Sequence, residues 1–245
     1  MVKLYLAISL LLSACTTYAE PIRVAVASNF AQPAKALATL FEEQHNHELV
    51  LAFGSTGKHF AQITQGAPFD IFLAADSDYP KLLETKGLTV ENSRYTYAIG
   101  TLMVWTPAIT TDEIVPYLQH TNFHRPIAIA NPKRSPYGRA AQQVLTEMGL
   151  WSKVQSNLVR GENIAQTYQF VESGNASLGF IAQSQSKLSQ SALKDSVWIP
   201  SQALYDPIHQ QAVLLRSTPT TQAFWSFLHS EAAKTVITSF GYKLP

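Results

Sequence analysis

The chain has 245 residues, room for one domain or two small lobes with a sizeable buried core. Hydrophobic residues make up 46% and charged residues 14%, well below the roughly 25% charged share of an average soluble protein, which excludes intrinsic disorder. Lys plus Arg number 18 and Asp plus Glu 17, so there is no net field with which to hold nucleic acid or an anionic membrane surface by counterion release.

The first 19 residues read as a secretory signal: Lys3 supplies a positive start, Leu4 to Leu12 an apolar core, and small residues follow. The run is too short to span a bilayer. Cleavage after Ala19 is favoured; Leu12-Ser13-Ala14-Cys15 offers the alternative of a lipoprotein anchor at Cys15. Cys15 is the sole cysteine, so neither route leaves a disulfide. Removing Lys3 leaves 17 basic and 17 acidic residues, and no later apolar run is long enough for a membrane helix. A soluble, exported mature chain is expected.

From Pro21 onward the pattern alternates strand and helix. Ile22 to Ala27 is a β-prone apolar run, and Ala34, Leu37, Leu40 and Phe41 then fall at helical spacing. Leu49 to Phe53 predicts a second strand, Lys58 to Gln65 a short helix stopped by Gly66, Ile71 to Ala75 a third strand and Ser77 to Gly87 a helix. This βαβαβ order implies parallel strands covered by helices. Tyr95 to Trp105 is a longer β-prone stretch able to carry the chain into a second unit. There the pattern restarts: strand Ile127 to Ala130, helix Gly138 to Met148, Leu158 and Val159 leading into a helix from Asn163 to Glu172, and strand Leu178 to Ala182. Ala212 to Leu215 predicts a last strand, with helices near Thr220 to His229 and Glu231 to Phe240. The expected organisation is an α/β chain of two lobes, each a mostly parallel sheet flanked by helices: a signal peptide at 1–19, a discontinuous first lobe at 20–98 plus 207–245, and a second lobe at 99–206.

Four junctions pair small or polar residues with a helix start just after a strand: Ser28-Asn29, Gly54-Ser55-Thr56-Gly57, Ser135-Pro136-Tyr137-Gly138 and Glu162-Asn163-Ile164. A helix N-terminus exposes unpaired N–H groups and about half a positive charge, so several aimed at one crevice make an anion site without lysine or arginine. The crevice outside the carboxyl ends of the strands is where such junctions lie in open α/β sheets. Plain helix capping by Ser, Thr and Asn is the better explanation of any single one of them, and four in one chain are only suggestive.

Rival chemistries fit poorly. Gly54-Ser55-Thr56-Gly57-Lys58 has two residues between its glycines and His59 after the lysine, where a P-loop needs four and a Ser or Thr. His45-Asn46-His47 lacks the i, i+4 face and further ligands of a zinc site and reads as an exposed turn. Asp70 and Asp76 bracket a short strand and read as capping and strand-end residues rather than a general acid and base. Lys58 and Arg139, one step into their helices, are expected to point to solvent. No Gly-x-Ser-x-Gly elbow occurs. The chain is expected to be no enzyme and to need no cofactor.

The ordered series Ser28-Asn29-Phe30, Phe53 to Lys58, Gly66-Ala67-Pro68-Phe69-Asp70-Ile71-Phe72-Leu73-Ala74-Ala75-Asp76, Asn131-Pro132, Pro136-Tyr137-Gly138-Arg139-Ala140-Ala141 and Gly161-Glu162-Asn163-Ile164 closely resembles the periplasmic molybdate- and tungstate-binding proteins of ABC transporters, over about Ile22 to Tyr242. The resemblance implies a type II periplasmic binding protein that closes on a tetrahedral oxyanion and delivers it to membrane permease subunits. Position by position it implies ligand contacts at Ser28, Asn29, Ser55, Thr56, Tyr137 and Ile164, the last through its backbone N–H, with no metal beyond the molybdenum or tungsten of the ligand. Many members carry a tyrosine where this chain has Ala182 and a small residue where it has Tyr137; Tyr137 is therefore expected to supply the hydroxyl. Closure is expected near Tyr97 and Tyr205. A monomer is expected, and the alternatives are another oxyanion such as sulfate, a small organic acid, a receptor-coupled sensor or an exported α/β hydrolase.

Overall fold

A computed structural model describes residues 20–45, 47–107, 109–119, 125–188 and 197–245; the signal segment with Cys15, and Asn46, lie outside them. The strands are β1 (Ile22–Ala27), β2 (Leu49–Gly54), β3 (Ile71–Leu73), β4 (Tyr95–Gly100), β5 (Leu102–Trp105), β6 (Ile127–Ala130), β7 (Leu158–Gly161), β8 (Leu178–Ala182), β9 (Val197–Trp198) and β10 (Ile208–Leu214). The α-helices are α1 (Ala31–Gln44), α2 (Thr56–Thr64), α3 (Asp78–Thr85), α4 (Thr111–Gln119), α5 (Pro136–Glu147), α6 (Trp151–Val154), α7 (Ile164–Glu172), α8 (Pro219–Leu228) and α9 (Glu231–Ser239).

They form two five-stranded sheets, ordered β2-β1-β3-β10-β4 and β7-β6-β8-β5-β9. In each sheet the three strands of the βαβ series run parallel, and two further strands add in antiparallel fashion. A central parallel strand is covered on both faces and reads as continuous apolar sequence; β8 does so throughout and β1 does so from Val24 to Ala27. On β1, Val24 and Val26 join a core with Phe30, Leu37 and Phe41 of the α1 side and Phe224 of α8. Ala25, between them, points to the opposite face with Phe72, Ile63 of α2 and Leu83 of α3. Phe41 is wholly buried, and truncating such a side chain to Ala costs roughly 3–5 kcal/mol. In the second sheet, α5 covers Ile127 and Ile129, while α7 packs Tyr168 and Val171 on Ala128 and Trp105.

Several elements differ from their sequence reading for local reasons. The stretch Tyr95 to Trp105 is two strands in different sheets, broken at Thr101. Leu158 and Val159 are themselves strand, pairing along β6, hidden in the sequence because β7 is a short, half-exposed edge. Helix α4 contains Pro116, normally a breaker, and β10 starts four residues earlier than its apolar run because His209, Gln210 and Gln211 obscure it. The chain passes between sheets at Thr101 and returns through Tyr205 to Pro207; Tyr205 lies across the outward crossing, its hydroxyl accepting from the Leu102 N–H at 3.2 Å.

Candidate functional site

Register brings the four junctions to one place. Ala27 pairs with Gly54 at the ends of β1 and β2, so Ser28 and Ser55 follow side by side; Ala130 pairs with Gly161 at the ends of β6 and β7, leading to α5 and α7. The two lobes meet at these ends. Ala27 and Ala75 of the first lobe pack in one apolar cluster with Tyr137 and Ile164 of the second. The Gly57 N–H donates to the Arg134 carbonyl at 3.0 Å and the Ser184 hydroxyl to the Asn29 carbonyl at 2.8 Å. Gly57 permits that approach: a Cβ there would stand 3.2 Å from the Arg134 Cα.

In the second lobe the caps decide which amides remain. Ser135 caps α5 by accepting from the Gly138 N–H, and Pro136 has no N–H to give, which leaves Tyr137. At α7 the Asn163 carboxamide oxygen accepts from Ala165 and Gln166 at 3.0 and 3.1 Å, which leaves Ile164. In the first lobe the two corresponding helix starts carry no side-chain cap, although the Gly57 amide of α2 is already engaged by the Arg134 carbonyl. The three-residue 3-10 turn Ser28–Phe30 that opens α1 has no side-chain cap, and Ser55, at the N-cap position of α2 with extended backbone, takes no amide with its hydroxyl. Thr56 Oγ1 accepts from the Ala75 N–H at 3.1 Å, so its O–H remains to donate. All six residues singled out by sequence are at most 6% exposed. The Asn29 side chain, however, is engaged: its Nδ2 donates to Gln210 Oε1 at 2.8 Å and to the Tyr242 hydroxyl at 2.9 Å, so what Asn29 turns to the cleft is backbone.

Behind these donors lies a buried polar cluster that sequence reading missed. Gln210, fully buried on β10, accepts from Tyr97 at 3.1 Å and donates to the Tyr137 hydroxyl at 3.2 Å. Tyr242 donates to the Asn29 carbonyl or Ser184 Oγ, each at 2.9 Å. The Tyr137 phenol lies against Gly100, where any Cβ would overlap it. Burial pushes the Tyr97, Tyr137 and Tyr242 hydroxyls up from their ordinary pKa, so all three keep their protons. Polar residues in β10 were the one available signal. Ala182 ends β8 with its N–H on Gln185 Oε1 at 2.9 Å, and Gln185 in turn donates to the Ile164 carbonyl at 3.1 Å.

The charged groups stand outside this set. Lys58 is exposed, as expected. Arg139, expected to point to solvent, instead reaches across the lobes to Asp76 at 3.1 Å and Asp78 at 2.8 Å. Asp76 also caps α3 through the Tyr79 N–H at 3.2 Å; its burial lifts its pKa to about 6 against the opposing pull of that amide and of Arg139. Asp70 accepts from the Arg23 N–H and pairs with Arg216 at 2.6 Å. His59 is buried under Gly54 with its ring nitrogens 3.2 Å from the Val26 carbonyl and from Gln62; desolvation pushes its pKa down, and it braces the α2 turn as a neutral ring. His45, expected in an exposed turn, is only partly exposed and stacks on Phe41 at 4.4 Å. Among the described residues no three His, Cys, Asp or Glu side chains gather as metal ligands. A groove of about 420 Å³ leads away from Ser28 and Asn29 between Phe53 and Tyr168.

The arrangement gathers neutral hydrogen-bond donors from both lobes where the strand ends meet. Over residues 22–243 the chain matches the family of bacterial extracellular solute-binding proteins. It is 42% identical to the molybdate-binding protein ModA of Azotobacter vinelandii, across 99% of this chain and 97% of that one, and 39% identical to ModA of Rhodobacter capsulatus, across 91% and 88%. Its fold superimposes on the solved periplasmic molybdate-binding protein of Azotobacter vinelandii with a TM-score of 0.84, at 37% identity, covering 91% of this chain and 99% of that one. With the whole two-lobed fold matched in this way, the chain belongs to the bacterial extracellular solute-binding proteins and is a relative of the ModA proteins.

Proposed function

We propose that this protein captures molybdate, and equally tungstate, between its lobes and hands it to the permease subunits of an ABC importer. The observation that carries the reading is the set of helix-start donors with no cation among them. A doubly charged oxyanion offers only acceptor lone pairs, so donors alone suffice, whereas a monohydrogen phosphate needs an acceptor for its proton. Four helix starts at about half a positive charge each sum to about two charges, which matches the dianion. The ligand contacts in this reading are the hydroxyls of Ser28, Ser55 and Thr56, the backbone N–H groups of Asn29, Tyr137 and Ile164, and the Tyr137 phenol. Sulfate has the same charge and shape, so discrimination rests on cavity size, which backbone donors hold rigidly.

In this reading the protein is an exported periplasmic monomer that binds without catalysing and needs no cofactor; residues 20–98 with 207–245 close on 99–206 about the paired crossings at Thr101 and Tyr205. The names of the ModA relatives support the ligand, and the name of a Bacillus subtilis relative, a putative ABC transporter substrate-binding lipoprotein, supports the partner. Titration calorimetry of residues 20–245, stripped of bound anion, tests it: tight one-to-one binding of molybdate and tungstate is expected, with sulfate, phosphate and a small dicarboxylate weak. Silence with molybdate from folded protein overturns the reading.

A further inference from the structure

We infer that Arg139 is a closure residue: its guanidinium lets the second lobe shut over the Asp76 carboxylate of the first, and so sets how firmly the lobes hold an anion between them. This rests on the reading above, in which the lobes close on an oxyanion. Asp76 and Asp78 follow β3 in the first lobe, whereas Arg139 lies in the opening turn of α5 in the second. Among the described residues, the ion pairs of Arg139 alone join the two lobes. Ala75, immediately before Asp76, packs into one apolar cluster with Tyr137 and Ala140 of α5, so the second lobe covers the ground on which Asp76 stands.

A carboxylate removed from water needs partners for its oxygens, and one left without them opposes whatever buries it. Asp76 is buried. From its own lobe its Oδ1 accepts the Tyr79 N–H at 3.2 Å; its Oδ2 is met from the other lobe, by Arg139 Nη2 at 3.1 Å. Arg139 Nη1 donates at the same time to Asp78 Oδ2 at 2.8 Å, a use of the planar donor fork that a compact ammonium matches less well. A cavity of about 180 Å3, lined also by Gln143, Asp206 and His209, borders the pair, so water reaches the carboxylates once the guanidinium withdraws. Opening therefore exchanges Arg139 for water at Asp76, whereas closing without Arg139 strands the charge. The exchange takes place beside the donors: the Ala75 N–H rests on Thr56 Oγ1, and Arg139 follows Tyr137 by two residues in α5.

Molybdate affinity by calorimetry and release rate by stopped-flow tryptophan fluorescence, both well below the melting temperature, test this, with thermal melting to verify folding. Arg139→Gln is expected to weaken binding about fivefold or more, chiefly through faster release, as truncating one partner of a desolvated charge pair does. Asp76→Asn added to Arg139→Gln removes the stranded charge, and the double variant is expected to return to within about twofold of wild-type affinity, a gain that independent effects do not produce. A double variant no tighter than Arg139→Gln overturns the proposal. So does an Arg139→Gln variant that melts lower but binds and releases as the wild type does, since that marks a purely structural residue. Should Arg139→Gln not fold, Arg139→Lys replaces it: release about twofold faster or more is expected from the weaker fork, and an unchanged rate overturns the proposal. Wild-type binding with an undiminished Arg139→Gln variant overturns this inference alone; wild-type silence overturns the molybdate reading and this one with it.

Discussion

The helix starts of the first lobe, at Ser28 and Thr56, carry no side-chain caps, whereas in the second lobe Ser135 and Asn163 occupy the amides beside Tyr137 and Ile164. One lobe thus brings hydroxyls and helix starts without side-chain caps; the other brings single backbone amides selected by their own caps. The difference separates two kinds of sensitivity. If the proposed site holds, a side-chain change in the first lobe acts directly on the ligand, and in the second a change of cap acts on the helix that holds a donor in place.

The comparison presumes lobes that meet as described, and the strongest way to break it is through their ion pair. The Asp76 pKa, raised from 3.8 to about 6 by burial, means that the folded protein holds the Asp76 proton more tightly than the unfolded chain does. Stability therefore falls as pH rises from about 4 to about 6, by up to about 3 kcal/mol. Asp76→Asn removes this dependence, so its melting temperature should gain on the wild type across that window and level off above it. A difference constant with pH would show that Asp76 is not desolvated against Arg139.

Next in size is Ser28→Ala, expected to weaken molybdate binding by about 1.5–3 kcal/mol with the melting temperature of the ligand-free protein unchanged, because the Ser28 hydroxyl caps nothing. Thr56→Ala should weaken binding and lower stability together, since it also strips the acceptor from the buried Ala75 N–H. An affinity retained in both variants places the anion elsewhere. For the second lobe, Asn163→Ala should cost about 1 kcal/mol of stability through the lost cap, with affinity changed less than about threefold once the protein is folded, as calorimetry well below the melting temperature would read. The smallest effect belongs to Lys58→Ala: affinity within about twofold, since an exposed cation contributes little through water. A tenfold loss there would put a charge in the site.

Much of this was legible in the sequence because the βα repeats carry strong periodicity and the junction residues follow strands directly. The strands β3, β6 and β8 are continuous apolar runs and β1 is one from Val24 on, and Ser28, Ser55, Tyr137 and Ile164 fall at their stated helix starts. Illegible were elements whose burial comes from distant partners. β7 gains its strand character from β6, and β10 hides behind Gln210 and Gln211, polar because one serves the interlobe cluster and the other bonds Arg94 and Thr96. Arg139 looked like a solvated cation because its partners Asp76 and Asp78 lie some sixty residues away in the other lobe. Asn29 was legible as a position but not in its atoms: only the fold reveals that its carboxamide turns inward.

Gly100 connects to the question of how such sites diversify. The last residue of β4 lies directly under the Tyr137 phenol, so the point where the chain leaves one sheet and the edge of the buried polar cluster are the same few atoms. A side chain at 100 and a phenol at 137 are mutually exclusive in this geometry. Any side chain at 100 must displace the Tyr137 phenol and the Gln210 amide together, so the crossing between the sheets and the buried polar cluster constrain one another's sequence.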